Sequence, residues 1–203
     1  MAEATKPGNG KVTTPLFRLS FPNLFEPKPR KGDASKLQYS ITMLFPKGTD
    51  LSVLKNLAVK AITDKWGPRD KWPANLRVLD LKNFLTISGK DGWPFRDGDA
   101  QAYDGYAGMI SVPARGDNRP VVVDKFVNPI IDKDEVYPGC WCHASVTAYA
   151  WDNSGNRGVS FGLLGVQKVK DDLPFTRRCD PQTEFKAYDD ASEDPGAYSG
   201  DFM

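Results

Sequence analysis

The residues and motifs on which enzyme chemistry usually depends are scarce in this chain of 203 residues. Its three cysteines, an odd number, argue against a disulfide framework and indicate a reducing cytoplasm. His143 is the single histidine, and no GxSxG motif accompanies it, so a Ser-His-Asp triad lacks support. The motifs GxxxxGKS/T and GxGxxG are also missing, which removes the usual sequence evidence for nucleotide hydrolysis and dinucleotide binding.

Long apolar runs are missing as well. No stretch of about 18 apolar residues occurs, so the sequence predicts no membrane span and no membrane partner. The segment Met1–Lys11 is polar and lacks the apolar run of a secretory signal. These absences favour a cytoplasmic protein.

The potential metal ligands are poorly arranged. Cys140 and Cys142 would share one face of a strand while His143 points to the other face, and Cys179 is distant with no CxxC pair. We therefore expect buried free thiols, with no metal and no cofactor.

A cluster of acids, Asp132, Asp134 and Glu135, could hold a divalent ion in a nuclease. Its setting, IIDKDEVYPG, is typical of a solvated loop. Neither an enzyme nor a small-molecule substrate is predicted.

What the chain does contain is a pronounced separation of charge. Residues 180–203 carry seven acids and one base, whereas the remaining residues carry 26 bases and 19 acids. A net charge of +1 therefore hides a basic body joined to an acidic tail. This asymmetry indicates a polyanionic partner, together with an internal competitor for the same surface.

The body reads as a β protein. Sixteen prolines and eighteen glycines favour short strands over a helical bundle. Alternating residues predict a strand at Thr13–Phe25, with Phe17, Leu19 and Phe21 on one face, and a second at 37–45. A Pro-rich loop, Glu26–Lys36, would separate them. Further strands are expected at Met109–Val112, Pro120–Val127, Gly139–Trp151 and Val159–Val169.

One strong helix is expected, beginning at a cap on Thr49 or Asp50 and ending near Trp66. Its apolar stripe would comprise Leu51, Leu54, Ala58, Ala61 and Ile62. The predicted fold class is mainly β: an OB-fold-like five-stranded antiparallel barrel with one inserted helix and long loops. A β-sandwich is the structural alternative. We divide the chain into a flexible arm (1–12), the barrel domain (13–172) and an acidic, disordered tail (173–203).

The strand near residues 140–152 has two contrasting faces. One face carries the small residues Cys142, Ala144, Val146, Ala148 and Ala150, which suit a tight barrel interior. The other face interleaves aromatic and polar groups: Trp141, His143, Ser145, Thr147, Tyr149 and Trp151. Exposed rings beside basic residues are what single-strand binding needs, since stacking is worth ~1–3 kcal/mol per base whatever the sequence. The alternative is that these rings cover a second hydrophobic cluster beneath residues 67–104.

Several stretches resemble a known family: SFPNLFEPK (20–28), LQYSITMLFPK (37–47), YPGCW (137–141) and AYAWDNSGNRGVSFGLLGVQKV (148–169). They look like the tailed-phage single-stranded-DNA-binding proteins long classed as a domain of unknown function. The resemblance covers residues 12–170 and the character of the tail. It implies an OB-fold protein of the host bacterial cytoplasm that coats single strands during phage replication and recombination. It also implies that the acidic tail docks replication or recombination proteins.

The candidate contacts come from side-chain chemistry. Candidate stacking residues are Trp93, Phe95, Trp141, Tyr149 and Trp151, with Tyr103 and Tyr106 as candidate lid aromatics. Candidate phosphate contacts are Arg18, Lys28, Arg30, Lys31, Lys47, Arg96 and Lys125. Candidate partner contacts in the tail are Asp189, Asp190, Glu193, Asp194, Asp201 and Phe202. The competing hypothesis is a non-catalytic phage structural or adaptor protein whose tail only confers solubility.

Overall fold

The computed structural model describes residues 10–30, 33–71, 86–87, 90–153, 156–175 and 181–186. Within these ranges the strands are β1 Val12–Thr13, β2 Phe17–Arg30, β3 Asp33–Pro46, β4 Thr86–Ile87, β5 Lys90–Asp91, β6 Arg96–Asp97, β7 Met109–Gly116, β8 Val121–Val123, β9 Trp141–Asn153 and β10 Asn156–Lys170. The α-helices are α1 Ser52–Trp66 and α2 Pro181–Glu184. Short 3-10 turns occupy Arg69–Lys71, Gly98–Ala100 and Lys133–Glu135.

Five of these strands close into a barrel. β2 pairs with β3, β3 with β7, β7 with β10, β10 with β9, and β9 returns to β2. The closing contact pairs Phe17 with Cys142 and Arg18 with Trp141. The predicted OB-fold-like barrel is confirmed, although one pairing, β7 with β10, is parallel rather than antiparallel. A single closed sheet also excludes the sandwich alternative.

The interior of the barrel depends on small residues in β9. Cys142, Ala144, Val146 and Ala148 all point inward and are at most 1% exposed, which confirms the predicted face. Their small volume leaves room for large side chains from the other strands. Among these, Phe17 and Phe45 meet edge to face with ring centroids 5.6 Å apart.

The helix α1 lies between the second and third barrel strands in the chain. The predicted cap at Thr49 or Asp50 was wrong, because the N-cap is Leu51, which makes no side-chain capping hydrogen bond. The Asp50 carboxylate still accepts the backbone N–H of Ser52, the first helical residue, at 2.8 Å. The helix packs against β9 and β10 through an apolar face that the spacing largely predicted, with one addition, Leu57. The buried residues of α1 are Leu54, Leu57, Ala58, Ala61 and Ile62.

Two sequence-based boundaries were wrong. The predicted loop Glu26–Lys36 is instead largely strand, because β2 and β3 continue as a long hairpin in which Lys28 pairs with Gln38. The predicted strand Pro120–Val127 is reduced to β8. Asp124 ends that strand, since its carboxylate accepts the N–H groups of both Phe126 and Asn128 at 2.8 Å.

Phe21 does not share the buried face of Phe17 and Leu19. Ser20 pairs with Thr42 whereas Asn23 pairs with Ser40, so β2 holds one extra residue at this point. Such a bulge reverses the alternation of side chains. Phe21 has a φ of 46° and its side chain is 51% exposed.

Beyond β10 the chain stays on the barrel as far as Phe175. The tail residues predicted to contact partners, 189–202, lie outside the described residues, as does the arm before Gly10. None of the described helices has both the length and the apolar character needed to cross a bilayer.

The core predicts a large difference between two phenylalanines. Phe161 is fully buried in the barrel, so Phe161→Ala should lower the free energy of unfolding by about 3–5 kcal/mol. Phe126 is 72% exposed, and Phe126→Ala should change the free energy of unfolding by no more than about 0.5 kcal/mol. Urea denaturation of both variants measures the difference; equal losses would contradict the burial of Phe161.

Candidate nucleic-acid interface

The outer face of β9 and β10 forms a shallow trough. Across the two strands Tyr149 lies opposite Ser160, and Thr147 lies opposite Gly162. Each larger side chain of β9 therefore faces a small residue of β10, which leaves the surface beside the Tyr149 ring open. Tyr149 is 41% exposed.

Trp151 continues the same face and is held in place by its neighbours. Its indole N–H donates to the Ser160 hydroxyl at 3.0 Å. The ring lies across Gly158, where an added Cβ would come within 2.5 Å of the indole. The glycine thus permits the ring to lie close to the sheet, half-buried rather than projecting.

A polar row extends the trough across the remaining barrel strands. Gly162 pairs with Arg115 of β7, Arg115 pairs with Ser40 of β3, and Ser40 pairs with Asn23 of β2. The Asn23 amide also donates to the Ser40 hydroxyl at 3.0 Å. These four residues and Thr147, which lies opposite Gly162, form one row of positions across all five barrel strands, and Tyr149 lies two residues farther along β9.

The middle of this row is a groove of about 350 Å³. Tyr149 and Leu164 form one side, and three arginines, Arg30, Arg115 and Arg119, line the groove with a single acid, Asp117. The Arg119 guanidinium also lies 5.9 Å from the ring centroid of Phe25, a cation–π distance. The lining is therefore positively charged and partly aromatic.

The surroundings of Arg115 shift the pKa of its guanidinium. Burial lowers the pKa of its guanidinium, the neighbouring Tyr149 opposes that shift, and the nearby charges of Arg30 and Arg96 add to it. Arginine stays protonated despite such a shift. The result is a desolvated cation surrounded by like charges, which is a favourable place for an anion.

The structure brings together several of the residues selected from the sequence. Arg30 and Tyr149 line the groove, and β6 holds Arg96 beside β7, close enough to act on Arg115. Trp151 lies next to Tyr149 on the same face, and Lys28 lies exposed on the β2–β3 hairpin. Lys31 falls outside the described residues.

Other selected cations lie elsewhere. Lys47 forms ion pairs with Asp97 at 2.8 Å and Asp99 at 2.5 Å, and these two carboxylates raise the pKa of its ammonium group. Lys125 lies on the turn after β8, with its ammonium 5.0 Å from the ring centroid of Phe126. Neither lysine lines the groove.

Three of the selected aromatic residues serve packing in this structure. Phe95 meets the buried Phe161 edge to face at 5.8 Å, and Trp93 packs on Phe95 at 5.3 Å. Both rings are partly buried against the hydrophobic core of the barrel. Tyr106 is only 2% exposed, so as a lid aromatic it would offer no open ring face, whereas Tyr103 is 57% exposed.

Sequence reasoning missed two groove arginines, Arg115 and Arg119. The strand predicted at Met109–Val112 stopped too early, and the structure extends it to Gly116. With Val112 and Ala114 buried, the same alternation places Arg115 on the outer face. A longer strand assignment would have found Arg115, whereas Arg119 lies in a loop with no periodic signal.

Comparison with known proteins identifies a family. The family model described as the ssDNA-binding protein of Enterobacter phage Enc34 matches residues 10–195. The chain belongs to that family. A curated relative, p50 of Acyrthosiphon pisum secondary endosymbiont phage 1, is 36% identical over 169 residues, which cover 82% of this chain and 86% of the relative.

Solved structures of single-stranded DNA-binding proteins share the fold. The single-stranded DNA-binding protein from bacteriophage Enc34 has 25% identity and a TM-score of 0.60, with 88% of this chain and 95% of that chain covered. Its complex with ssDNA gives a TM-score of 0.62 at 24% identity, covering 85% and 97% of the two chains. The gp2.5 single-stranded DNA-binding protein of bacteriophage T7 gives 0.56 at 15% identity, covering 88% and 98%.

In this family member, Arg18 binds the segment that follows β10. We call Asp171–Phe175 the C-terminal strap. The Arg18 guanidinium donates to the carbonyl oxygens of Gly139 at 3.0 Å and Leu173 at 2.6 Å, and lies 3.5 Å from the Asp172 carboxylate. Trp141 donates its indole N–H to the same carboxylate at 2.6 Å, which holds the pKa of Asp172 below its usual value.

The strap is fixed at both ends. At its start, Asp171 accepts the Tyr137 hydroxyl at 2.8 Å and pairs with Lys168 at 2.7 Å. At its end, the Phe175 ring lies 4.5 Å from the Arg18 guanidinium. Arg18 and Trp141, both selected as DNA contacts, are thus engaged by the protein's own acidic segment, and the body holds the first residues assigned to the tail.

The cysteines and the histidine remain apart. Cys140 and Cys142 are fully buried with their sulfur atoms 3.7 Å apart. His143 lies on the outer face, where its Nδ1 is 2.9 Å from the Thr14 carbonyl oxygen. No group of three or more metal-ligating side chains occurs among the described residues, and Cys179 lies outside them.

The position of Trp151 can be tested through Gly158. Gly158→Ala places a methyl group against the indole, so it should destabilise the fold by about 1–3 kcal/mol and shift the tryptophan emission. Gly10→Ala is the matched control, because an added Cβ there meets nothing within 4 Å. Thermal unfolding and fluorescence provide the readouts; equal behaviour of the two variants would contradict the close packing of Trp151 on Gly158.

Proposed function

We propose that this protein binds single-stranded DNA in the groove that crosses the barrel, and that it coats and protects the strand during phage replication and recombination. The observation that carries the proposal is the groove itself, in which the exposed ring of Tyr149 and the partly buried cation Arg115 lie beside Arg30 and Arg119. Membership of the Enc34 ssDNA-binding family supports it. Host bacterial cytoplasm is the location this role implies.

Binding would combine two physical effects. Bases would stack on Tyr149 and beside Trp151, an interaction worth ~1–3 kcal/mol per base that any base can make. Phosphates would lie against the cations of the groove and its rim: Lys28, Arg30, Arg96, Arg115 and Arg119. Because neither effect reads the edge of a base, we propose binding that does not depend on sequence.

We further propose that this role requires no catalysis and no cofactor. Binding of phosphates by fixed cations, with release of their counterions, supplies the free energy without any covalent step. Loss of a strand labelled at one end in the presence of Mg²⁺ would contradict this part of the proposal.

The two effects can be separated by salt. Arg115→Gln should weaken binding of oligo-dT and reduce the slope of log K against log salt by about 0.7, the value for one phosphate on a single strand. Tyr149→Ala should weaken binding by roughly 5- to 150-fold without changing that slope, and Tyr149→Phe should retain affinity because the ring remains. Fluorescence anisotropy over a salt series measures all three variants.

Binding that ignored salt, or a preference for duplex over single strands, would contradict the proposed function. A protein with no affinity for oligo-dT that sediments as a stable oligomer would instead indicate a structural or adaptor role.

We propose that the acidic tail competes with DNA for the cations of the body and presents Phe202 to replication or recombination proteins. Seven acids follow residue 179, and the C-terminal strap supports this role because two further acids, Asp171 and Asp172, already lie against Lys168 and Arg18. The strap therefore holds the start of the tail against the barrel. A tail attached in this way has a high effective concentration near the groove.

Deleting residues 180–203 should therefore tighten binding of oligo-dT at low salt, and the gain should shrink as salt screens the tail. A tail of the same length in which Asp189, Asp190, Glu193, Asp194 and Asp201 become Asn or Gln is the matched control and should behave like the deletion. Equal or weaker binding by the truncated protein would leave the tail as a contact for partners alone.

A further inference from the structure

An aromatic cluster on β2 lies outside the groove. Phe21 and Tyr103 meet edge to face with centroids 5.3 Å apart, and both pack on Tyr106, at 6.4 and 5.2 Å. Two of the three rings are open to solvent, with Phe21 51% and Tyr103 57% exposed. We call these three residues the β2 aromatic cluster.

Phe21 is exposed because the backbone at this residue adopts a strained conformation. A regular strand would turn this side chain toward the core beside Leu19, whereas the bulge and a φ of 46° turn it outward. A left-handed backbone is uncommon for a residue other than glycine, and exposure of a large ring gains no burial. Neither the strain nor the exposure contributes to the stability of the fold, so both point to a binding role.

The base of the cluster is rigid. Tyr106 is buried and shares a hydrogen bond of 3.2 Å with the Ser20 hydroxyl. Its carbonyl oxygen accepts the N–H of Met109 at 3.0 Å, and the backbone of Gly98 packs closely against it. The two exposed rings therefore rest on a fixed ring and lose little freedom when a ligand stacks on them.

The cluster adjoins one end of the polar row across the barrel. Asn23, the last residue of that row, donates through its side-chain amide to the Ser40 hydroxyl and, at 3.4 Å, to the carbonyl oxygen of Phe21. A strand that lies along the row and passes β2 would reach Phe21 next.

We propose that the β2 aromatic cluster is a second base-stacking site, which takes a nucleobase of the single strand as it leaves the groove over β2. The proposal rests on the proposed function of the groove. Its contribution is stacking on uncharged rings, so it adds affinity that does not depend on salt and lengthens the stretch of strand that one molecule covers.

The test uses the full-length protein and oligo-dT of increasing length. Phe21→Ala should lower affinity roughly 5- to 150-fold for strands long enough to reach the cluster, the range for one stacked base. It should leave the shortest strands that fill the groove unaffected, and the salt slope should not change. An abasic nucleotide at the position over β2 should remove the difference between variant and wild type.

Three further variants separate stacking from structure. Phe21→Tyr keeps a ring and should retain affinity. Phe21→Leu keeps apolar volume without a ring, so it should lose affinity as Phe21→Ala does. Urea denaturation should show that Phe21→Tyr and Phe21→Leu both fold. Phe126→Ala removes a still more exposed ring, on the turn after β8, and should have no effect on the binding of any strand.

Two results would overturn the proposal. One is an equal loss for all lengths, which would mean that Phe21 acts by shaping the groove. The other is that Phe21→Ala binds oligo-dT of every length as the wild type does. This second result would also contradict the proposal if the variant changed only the self-association of the protein. Wild-type protein that bound no oligo-dT would instead refute the groove itself, so the two failures are distinguishable.

Discussion

Closure of the barrel between β9 and β2 is the constraint on which the rest of the structure depends. Barrel strands must alternate strictly, because each residue faces either the packed interior or the outer surface. On β9 the interior positions hold cysteine, alanine and valine, so the large rings of other strands fill the core. The outer positions are then free to carry Tyr149 and Trp151, and the glycines and serine of β10 leave these rings room beside the sheet.

The cations of the body divide into two sets with different partners. Arg18 and Lys168 are satisfied within the molecule by the C-terminal strap, and Lys47 is satisfied by Asp97 and Asp99. Arg30, Arg115 and Arg119 share a groove whose lining holds a single acid. Since cations that are already paired gain little from another anion, we expect the second set to provide any attraction for a polyanion.

Sequence reasoning succeeded where one local period governs a segment. The two faces of β9 and the span of α1 followed from alternation and from helical spacing, whereas these patterns predicted strands without distinguishing a barrel from a sandwich. It failed where a single residue changed the period. The bulge at Phe21 reversed a face that alternation had assigned to the core, and Asp124 ended β8 early by binding the N–H groups of its own turn.

The candidate DNA contacts divide in the same way, into features that the local sequence predicted and features that it did not. The sequence by itself determined which residue types could bind a strand, the basic body with its acidic tail, and the outward direction of Tyr149, since these depend on composition and on neighbours one or two positions away. Only the tertiary structure decided which cations remain available. Arg18 meets Leu173 and Asp172, more than 150 positions along the chain, whereas Arg30 and Arg115, from two different strands, line the same groove. Such contacts arise when the barrel closes, and no local pattern carries them.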